Sequence, residues 1–433
     1  MCYFLQCVSF NFTLIQYSYI ICVTYQLGSH SMIDSQISTL KKITSLAESA
    51  QNLLSVRDEI KPKMPRTFSR PEAVDYLKCD YRTINRYASE LGIDPESYKE
   101  HGIDWMLDLE QIYKIRDALP ASTILKKQFK EFKRSKKQSP QRVVIQNQKG
   151  GVGKTISTIT IATGLAVEFH QKYSVLIVDM DGQSTLSSYQ PPLNGNNRTT
   201  IGELMQIDPL SENYLNLVKD SVSDTTIPNL KILPAAQGDR DIEALFHQGV
   251  FSGQISEPYK RLNSVLDALG DEFDIVLIDT PPSLGYSAIN SYFAATSVIF
   301  PLGANQNDTD ATCQYLSYLP KLYKTLIKEG HKGYDFIKML VTNHEVSTSS
   351  LDVMNEINSY FGDFVFSMQF KKSEAVRECA LNRNSVFDLS VSTYQGKTKK
   401  TLKNAKLNAF SVVQDVMREI NIVWKRQGDL IDE

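Results

Sequence analysis

The pattern of apolar and polar positions changes character along the chain. Residues 34–60 place isoleucine and leucine near helical spacing, which predicts one amphipathic helix that ends before Pro62. This helix either packs on the next module or forms a dimer seam. Beyond residue 140, short apolar runs end in glycine or aspartate, and the first leads directly into a helical stretch. We therefore predict an α/β fold whose central sheet is mostly parallel.

A pair of short helices is predicted before this sheet. Ser69 and Glu72 form a capping box, so the first helix spans residues 70–77. After a turn, a second helix runs to Leu91 and stops at Gly92. Residues 108–119 predict a third helix, which would pack behind a wing.

The second helix has an apolar face and a polar face. Ile84, Ala88 and Leu91 share the apolar face, and the polar face carries the candidate DNA-binding residues Arg82, Asn85 and Arg86. Arginine and asparagine offer donors that match base edges and phosphates, which favours a winged helix-turn-helix. A plain helical hairpin is the alternative.

Two flanking stretches have unusual composition. The first 33 residues contain no charged side chain and lack the basic start of a signal peptide. We interpret Met32 as the start of translation; an interfacial anchor and an ordinary N-terminal segment are the alternatives. The tract from Lys126 to Arg142 has eight basic residues and one acid, Glu131. It predicts a linker, either a solvated tether or a segment that attracts phosphate backbone.

These observations divide the chain into five predicted segments. They are a non-native upstream extension (1–31), an N-terminal helix (32–62), an all-α winged helix-turn-helix domain (63–120), a basic linker (121–140) and the domain that contains the mostly parallel sheet (141–433).

Composition excludes several classes of protein. A net charge of -2 argues against a uniformly basic surface, so nucleic-acid binding must come from patches. The six cysteines are scattered without a CxxC pair, which indicates neither a disulfide framework nor a zinc site and fits a reducing cytoplasm. No run approaches the ~18 apolar residues of a membrane span, so no membrane is expected.

The strongest chemical signal is the string NQKGGVGKT at residues 147–155. It follows an apolar strand and precedes a helix, the context of a phosphate-binding loop, whose backbone N–H groups converge on an anion. The predicted nucleotide-binding residues are Gly150, Gly151, Val152, Gly153, Lys154, Thr155 and Ile156. Lys154 would reach the phosphates of ATP, and the Thr155 hydroxyl would ligate Mg²⁺. The common pattern has glycine at position 148, whereas this chain has Gln148 followed by Lys149.

Aspartates follow two other apolar strands. VLIVDMDG delivers Asp179 and Asp181, and IVLIDTPPS delivers Asp279. Ligands bind at the carboxyl ends of parallel strands, where one carboxylate can hold Mg²⁺ and another can orient an attacking water.

Together, KGGVGKT, VLIVDMDGQST and IVLIDTPPSLG resemble the three motifs of the ParA/MinD class of deviant Walker ATPases. The resemblance covers about residues 140–425, and the preceding helices resemble those of the larger ParA proteins of plasmids and secondary chromosomes. It implies that residues 141–433 are a ParA-type ATPase domain, that Lys149 crosses an ATP-bound dimer to the partner's phosphates, that Asp181 positions the hydrolytic water, and that Asp279 is the Walker B aspartate. It also makes Asn343 a candidate adenine contact. The chain departs from the family at Gly182, where proline is usual.

A second basic patch lies near the C-terminus. Residues 397–406 contain five lysines and no acid, and Lys399, Lys403 and Lys406 are neighbours on a helix. They are candidate DNA-binding residues; a solvated helix face is the alternative.

The resemblance implies a DNA-partition ATPase that hydrolyses ATP with Mg²⁺, dimerises on ATP and binds nonspecific DNA in the cytoplasm, on the nucleoid. It also implies a centromere-binding ParB-like partner and repression of its own operon. The sequence leaves open whether the dimer forms higher assemblies. The alternatives are a nucleotide-gated transcription regulator and a MinD-like ATPase that cycles on membranes.

Overall fold

The computed structural model describes residues 30–60, 63–97, 105–129, 131–193, 198–345 and 347–429. The chain divides into two compact units, 1–62 and 63–433. In the described part of the first unit, helix α1 (His30–Ile60) agrees with the predicted N-terminal helix. Its Ile43, Leu46 and Leu53 side chains are exposed. The predicted upstream extension lies almost wholly outside the described residues, and the segment boundaries stay predictions.

The second unit contains the remaining elements. Its strands are β1 (Thr67–Ser69), β2 (Met106–Asp108), β3 (Gln141–Ile145), β4 (Val175–Asp179), β5 (Ser223–Asp224), β6 (Leu230–Leu233), β7 (Ile275–Asp279), β8 (Ser297–Gly303) and β9 (Phe336–Thr342). Its helices are α2 (Arg70–Leu77), α3 (Tyr81–Glu90), α4 (Leu109–Ala118), α5 (Ile124–Gln128), α6 (Lys154–Glu168), α7 (Thr185–Tyr189), α8 (Ile201–Gln206), α9 (Tyr214–Ser221), α10 (Ile242–Phe251), α11 (Arg261–Ala268), α12 (Tyr286–Ala294), α13 (Gln306–Lys328), α14 (Thr348–Phe361), α15 (Glu374–Leu381) and α16 (Lys399–Asp429). Two short 3₁₀ helices span Gln237–Asp241 and Gly362–Phe364.

Seven strands form the central sheet in the order β5-β6-β4-β7-β3-β8-β9. All pairs except β5 with β6 are parallel, which confirms the predicted α/β fold with a mostly parallel sheet. The strands β4, β7 and β3 are neighbours, and Asp279 at the end of β7 lies in register with Ile145 and Asp179. The three predicted motifs therefore meet at the carboxyl ends of the three central strands.

Alternation of side chains along each strand builds a core on both faces of the sheet. In β4, Val175 and Ile177 join one hydrophobic cluster, whereas Leu176 and Val178 join the other. Strands with both faces covered need continuous apolar runs, which is why VLIV and IVLI carry no alternating polar residues.

The predicted helix pair forms with nearly the expected bounds. The Ser69 amide and hydroxyl both donate to Oε2 of Glu72, at 3.1 and 2.9 Å, at the start of α2. Two details of the prediction are wrong. The segment is not all-α, because β1 and β2 pair antiparallel and set Phe68 against Leu107. Leu91 is exposed rather than on the apolar face, and α3 ends one residue earlier, at Glu90.

This segment shares a core with the sheet. Leu77, Ile84, Leu107 and Ile112 belong to the same hydrophobic cluster as Ile145 of β3. The cluster is continuous, so apolar burial holds the two parts of the second unit together.

The interpretation of the basic tract as a solvated tether is wrong for Phe132 and Arg134. Only 8% of the Arg134 side chain is exposed, and its guanidinium lies 3.0 Å from Asp271 and 3.4 Å from Asp274. The Phe132 ring stacks on Trp424, with the centroids 4.5 Å apart. This part of the tract is therefore packed against the domain that contains the seven-stranded sheet.

No helix within the described ranges is both long and apolar enough to span a membrane.

Candidate nucleotide site and DNA-binding surfaces

The loop between β3 and α6 has the backbone form of a phosphate cradle. Gly151 and Gly153 have φ of 80° and 82°, in the left-handed region that glycine adopts without strain. A Cβ placed on Gly150 or Gly151 would meet no atom within 4 Å, so the loop faces open space. The first N–H groups of α6 have no intrahelical acceptor and lie at the mouth of this loop.

The two lysines of the loop have different surroundings. Lys154 is 8% exposed, and its Nζ donates to the carbonyl of Lys149 at 3.2 Å. Burial lowers the pKa of Lys154, although Asp279 and Asp181 act against that shift. The Lys149 side chain is 40% exposed, and its Nζ lies 3.9 Å from Asp308, the long limit of an ion pair. Lys154 therefore points into the cradle, whereas Lys149 is only loosely held.

Two residues that the sequence analysis did not identify, Asn147 and Thr342, hold the phosphate loop in place by hydrogen bonds. The buried Asn147 amide donates to the Pro301 carbonyl at 2.8 Å and to the Thr312 hydroxyl at 2.9 Å. Its oxygen accepts the Lys149 N–H at 3.0 Å. The Thr342 hydroxyl donates to the Val152 carbonyl at 2.8 Å. Asn147 stands in the NQKGGVGKT string, but its role depends on residues more than 150 positions away.

The predicted metal ligands lie together. The Thr155 hydroxyl donates to Asp279 Oδ2 at 2.7 Å, and the Thr158 hydroxyl donates to Oδ1 at 3.0 Å. Burial raises the pKa of Asp279 to about 6, although these two hydrogen bonds oppose it. No group of three or more His, Cys, Asp or Glu side chains within the described ranges could hold a metal. One hydroxyl and one carboxylate are oxygen ligands of the kind that Mg²⁺ prefers, so Thr155 and Asp279 would hold the ion.

Asp179 and Asp181 separate into different roles. Asp179 is fully buried, and its Oδ2 accepts the Ser187 N–H at 2.8 Å and the Ser187 hydroxyl at 2.7 Å. It therefore holds α7 against the end of β4. Asp181 is half-buried, accepts the Gln183 N–H at 2.9 Å, and lies within electrostatic reach of Lys154 and Asp279. Of the two carboxylates, Asp181 has the position to face a nucleotide.

The burial of Asp179 leads to a pH prediction. Burial, with the Asp279 charge beside it, raises the pKa of Asp179 to about 7, above its unfolded value of 3.8. The folded state then binds more protons, so this stabilising contribution is present below the unfolded pKa and is lost as pH rises through about 7. We expect Asp179→Asn to reduce the loss of unfolding free energy between about pH 5 and about pH 8.

Urea unfolding of the nucleotide-free protein at the two pH values measures this difference. The exposed Asp220→Asn is the control and should behave as the wild type. If the unfolding free energy of Asp179→Asn falls between the two pH values as much as that of the wild type, the raised pKa of Asp179 is contradicted.

Gly182 occupies a position where no side chain fits. A Cβ there would lie 2.6 Å from the Arg240 backbone nitrogen, and the Arg240 guanidinium donates to the Gly182 carbonyl at 3.3 Å. The departure from the usual proline therefore coincides with a close approach of residues 239–240 to the loop that carries Asp181.

Asn343 directly follows Thr342 and is exposed, with φ of 52°. Thr342 contacts the phosphate loop, so Asn343 lies on the nucleotide side of β9. Its contact with adenine stays a prediction.

The candidate DNA-binding residues of α3 point in two directions. Arg82 and Arg86 are exposed, and Arg86 lies 3.9 Å from Glu90 and over the Tyr87 ring. Asn85 is half-buried, and its oxygen accepts the Trp105 indole N–H at 3.1 Å. The two arginines are therefore presented to solvent, whereas Asn85 takes part in packing.

The three C-terminal lysines do not form one exposed patch. Lys399 and Lys403 are exposed, but Lys406 is half-buried among Arg66, Glu72 and Glu168. Burial and the Arg66 charge lower the pKa of Lys406 to about 8. Lys406 thus belongs to an internal charge cluster.

Comparison with known proteins agrees with this geometry. The AAA domain family matches residues 141–331. The chain is 26% identical to a putative replication protein A of Rhizobium rhizogenes, over 83% of this chain and 88% of that protein. It is 29% identical to the chromosome partitioning protein ParA of Myxococcus xanthus, over 55% of this chain and 77% of that protein. A solved structure named Partition Protein has a similar fold, with a TM-score of 0.59, 18% identity, and coverage of 89% and 98% of the two chains.

Proposed function

We propose that this homologue of the ParA-type partition ATPases is an ATP-dependent DNA-partition ATPase. One observation carries the proposal: Lys154, Thr155, Asp181 and Asp279 converge at the carboxyl ends of β3, β4 and β7. The cradle supplies N–H donors for phosphates, and a buried carboxylate with a hydroxyl supplies the protein ligands of Mg²⁺.

In the proposed reaction, a water oxygen attacks the γ-phosphorus of ATP, and the bond to the β,γ-bridging oxygen breaks, which releases ADP and phosphate. Asp181 orients this water through its carboxylate, and Lys154 neutralises charge on the phosphates. Mg²⁺, when bound by Thr155 and Asp279, supplies further neutralisation of the β- and γ-phosphate oxygens. Asp179 does not take part, because its carboxylate is used by Ser187.

Lys149 carries the proposed dimerisation on ATP. Its ion pair with Asp308 is long at 3.9 Å and partly exposed, with 40% of the Lys149 side chain open to solvent, and a pair of this kind contributes about 1 kcal/mol. The side chain can therefore leave Asp308 at little cost and contact the nucleotide of a second subunit. Each subunit would complete the other's site.

DNA is the proposed polyanionic partner. The exposed Lys399 and Lys403 suit phosphate contacts without sequence preference, and the exposed Arg82 and Arg86 suit an operator read by a winged helix-turn-helix. Such a module, acting as a dimer, would repress the operon of this protein. A centromere-binding ParB-like protein would accelerate hydrolysis.

Binding of the full chain to a random-sequence duplex tests the proposal. The duplex is titrated with ATP, ADP or no nucleotide at two salt concentrations. Tight, salt-sensitive binding that requires ATP is the expected result. Binding that ignores the nucleotide, combined with protection of one operator sequence, would instead favour a nucleotide-gated transcription regulator. Absence of both would contradict the assignment of DNA as partner.

A further inference from the structure

One short segment of the chain contacts both loops that carry the carboxylates of the site. Residues 235–243, the bridge segment, follow β6, form the 3₁₀ helix Gln237–Asp241 and enter α10. The loops of Asp181 and Asp279 follow β4 and β7, which are neighbouring strands. The bridge segment contacts the first loop at Gly182 and the helix that ends the second loop, α12. It is therefore placed to set the distance between the two loops.

The contact with the Asp181 loop involves closely packed backbone atoms. A Cβ added to Gly182 would lie 2.6 Å from the Arg240 nitrogen and 2.9 Å from the Arg240 Cα. The Arg240 Nε also donates to the Gly182 carbonyl at 3.3 Å. Packing of this density leaves the loop no room to move towards the bridge segment. The bridge segment thus supports the loop that carries Asp181.

Glu243 makes the contact at the end of the Asp279 loop. Its two carboxylate oxygens accept the Tyr286 N–H at 2.7 Å and the Ser287 N–H at 3.1 Å, and these are the first two residues of α12. N–H groups at a helix start lack intrahelical acceptors, and a negative charge there is favourable. The N-cap residue is Gly285, which has no side chain, and a Cβ on it would overlap the Glu243 carboxylate. Glu243 therefore caps α12 from a different helix, α10.

The loop between β7 and α12 is attached mainly through its two ends. It contains Pro281 and Pro282, whose nitrogens carry no hydrogen to donate. At its start, the Thr280 hydroxyl donates to the Ile145 carbonyl at 2.7 Å. At its other end, Glu243 holds the first turn of α12. A shift of this helix start would therefore move the loop at the carboxyl end of β7.

Buried contacts hold the bridge segment itself. The Ala235 N–H donates to the Ser187 hydroxyl oxygen at 3.0 Å, and this hydroxyl donates to Asp179. The buried Asp239 carboxylate accepts the Thr200 hydroxyl at 2.7 Å. The segment cannot move without breaking these buried hydrogen bonds, which is costly. It is therefore a stiff connection between the two loops.

We propose that Glu243 is a positioning residue for ATP hydrolysis, because it ties α12 to the bridge segment and so holds the Asp279 loop at a fixed distance from the Asp181 loop. The phosphate loop is held separately, by Asn147 and Thr342. Loss of Glu243 therefore affects the rate of hydrolysis rather than the affinity for nucleotide. The inference rests on the proposed function, which assigns the two loops to hydrolysis.

Three variants of the full chain separate this role from simple helix capping. Glu243→Ala removes both the cap of α12 and its tie to α10. Glu243→Ala with Gly285→Ser restores a cap without the tie, because serine in this extended N-cap conformation accepts an N–H of its own helix and the alanine leaves it room. Asp108→Ala is the control. Asp108 caps α4 by accepting the Gln111 N–H at 2.8 Å, and α4 packs at the opposite end of α6 from the phosphate loop.

Both variants that lack Glu243 should show a kcat for ATP hydrolysis at least about 10-fold below that of the wild type, with an affinity for a fluorescent ATP analogue within about 2-fold of it. The urea midpoint should fall in Glu243→Ala and recover in the double variant. Asp108→Ala should lose stability and keep the wild-type kcat. Recovery of kcat together with the urea midpoint in the double variant would overturn the inference, because capping alone would then explain the loss. A loss of ATP affinity in place of kcat would overturn it too.

Gly182→Ala tests the other contact of the bridge segment. Its Cβ would meet the Arg240 backbone and push the two apart, so kcat should fall while ATP affinity is kept. Combined with Glu243→Ala, it should lower kcat by less than the product of the two single effects, because both act through one segment. A full product would overturn the inference.

The wild type separates the two levels of failure. If it hydrolyses no ATP, the proposed function fails and the inference fails with it. If it hydrolyses ATP and Glu243→Ala does so at the same rate, only the role of Glu243 is overturned.

Discussion

The Lys154→Ala variant should lose nucleotide binding, with an affinity at least about 100-fold below that of the wild type, or roughly 3 kcal/mol. Lys154 is the buried lysine of the loop, and its Nζ lies 3.2 Å from the Lys149 carbonyl, across the cradle. A charged donor at this position stabilises phosphate oxygens by about 1.5–3 kcal/mol for each hydrogen bond. Titration with a fluorescent ATP analogue measures the change.

Lys149→Ala is the matched control, because it removes the other lysine of the same loop. Its side chain is 40% exposed and is directed at Asp308, so affinity in the monomer should stay within a few-fold of the wild type. The loop assignment is wrong if Lys154→Ala binds nucleotide normally. Equal losses of nucleotide affinity in both variants would show that the two lysines do not have the different roles proposed for them.

The Asp181→Ala variant should bind ATP normally and hydrolyse it at least about 100-fold more slowly, as expected for loss of a residue that positions water. The Asp181 carboxylate lies half-buried at the end of β4, within electrostatic reach of Lys154 and Asp279. Because hydrolysis ends the ATP state, its complex with random DNA should also persist. Phosphate release and the lifetime of the DNA complex are the two measurements.

The exposed Asp220→Ala serves as the control for a lost carboxylate and should hydrolyse ATP at the wild-type rate. Unchanged hydrolysis in Asp181→Ala would refute its role. A variant that fails to bind ATP would place Asp181 in nucleotide binding instead.

The resemblance and the fold were accessible from the sequence because their signals are local. Strand, glycine loop and helix are adjacent in NQKGGVGKT, and the capping box of α2 spans four residues. The predicted helix over 70–77 is confirmed with the same bounds. Continuous apolar runs indicate buried parallel strands whatever their order, so the sheet class was predictable too.

Local signals could not assign different roles to two residues of the same type that lie close together in the sequence. Asp179 and Asp181 follow the same strand, and Ser187 decides that Asp179 is structural. Lys403 and Lys406 share a helix face. Only Lys406 interacts with the charges of Glu72 and Arg66, which stand more than 300 residues earlier in the sequence. Asn85 has the residue type of a base-reading position, but in the structure its oxygen accepts a hydrogen bond from the Trp105 indole.

The strands, the helices, the phosphate loop and the family they resemble can be read from the amino-acid sequence, because propensity, capping and hydrophobic period act over a few residues. The burial of charged groups, their partners and the packing of the predicted tether around Arg134 become visible only in the folded chain. Burial and ion pairing depend on groups brought together from distant parts of the chain, and their free energies follow the local environment rather than the residue type.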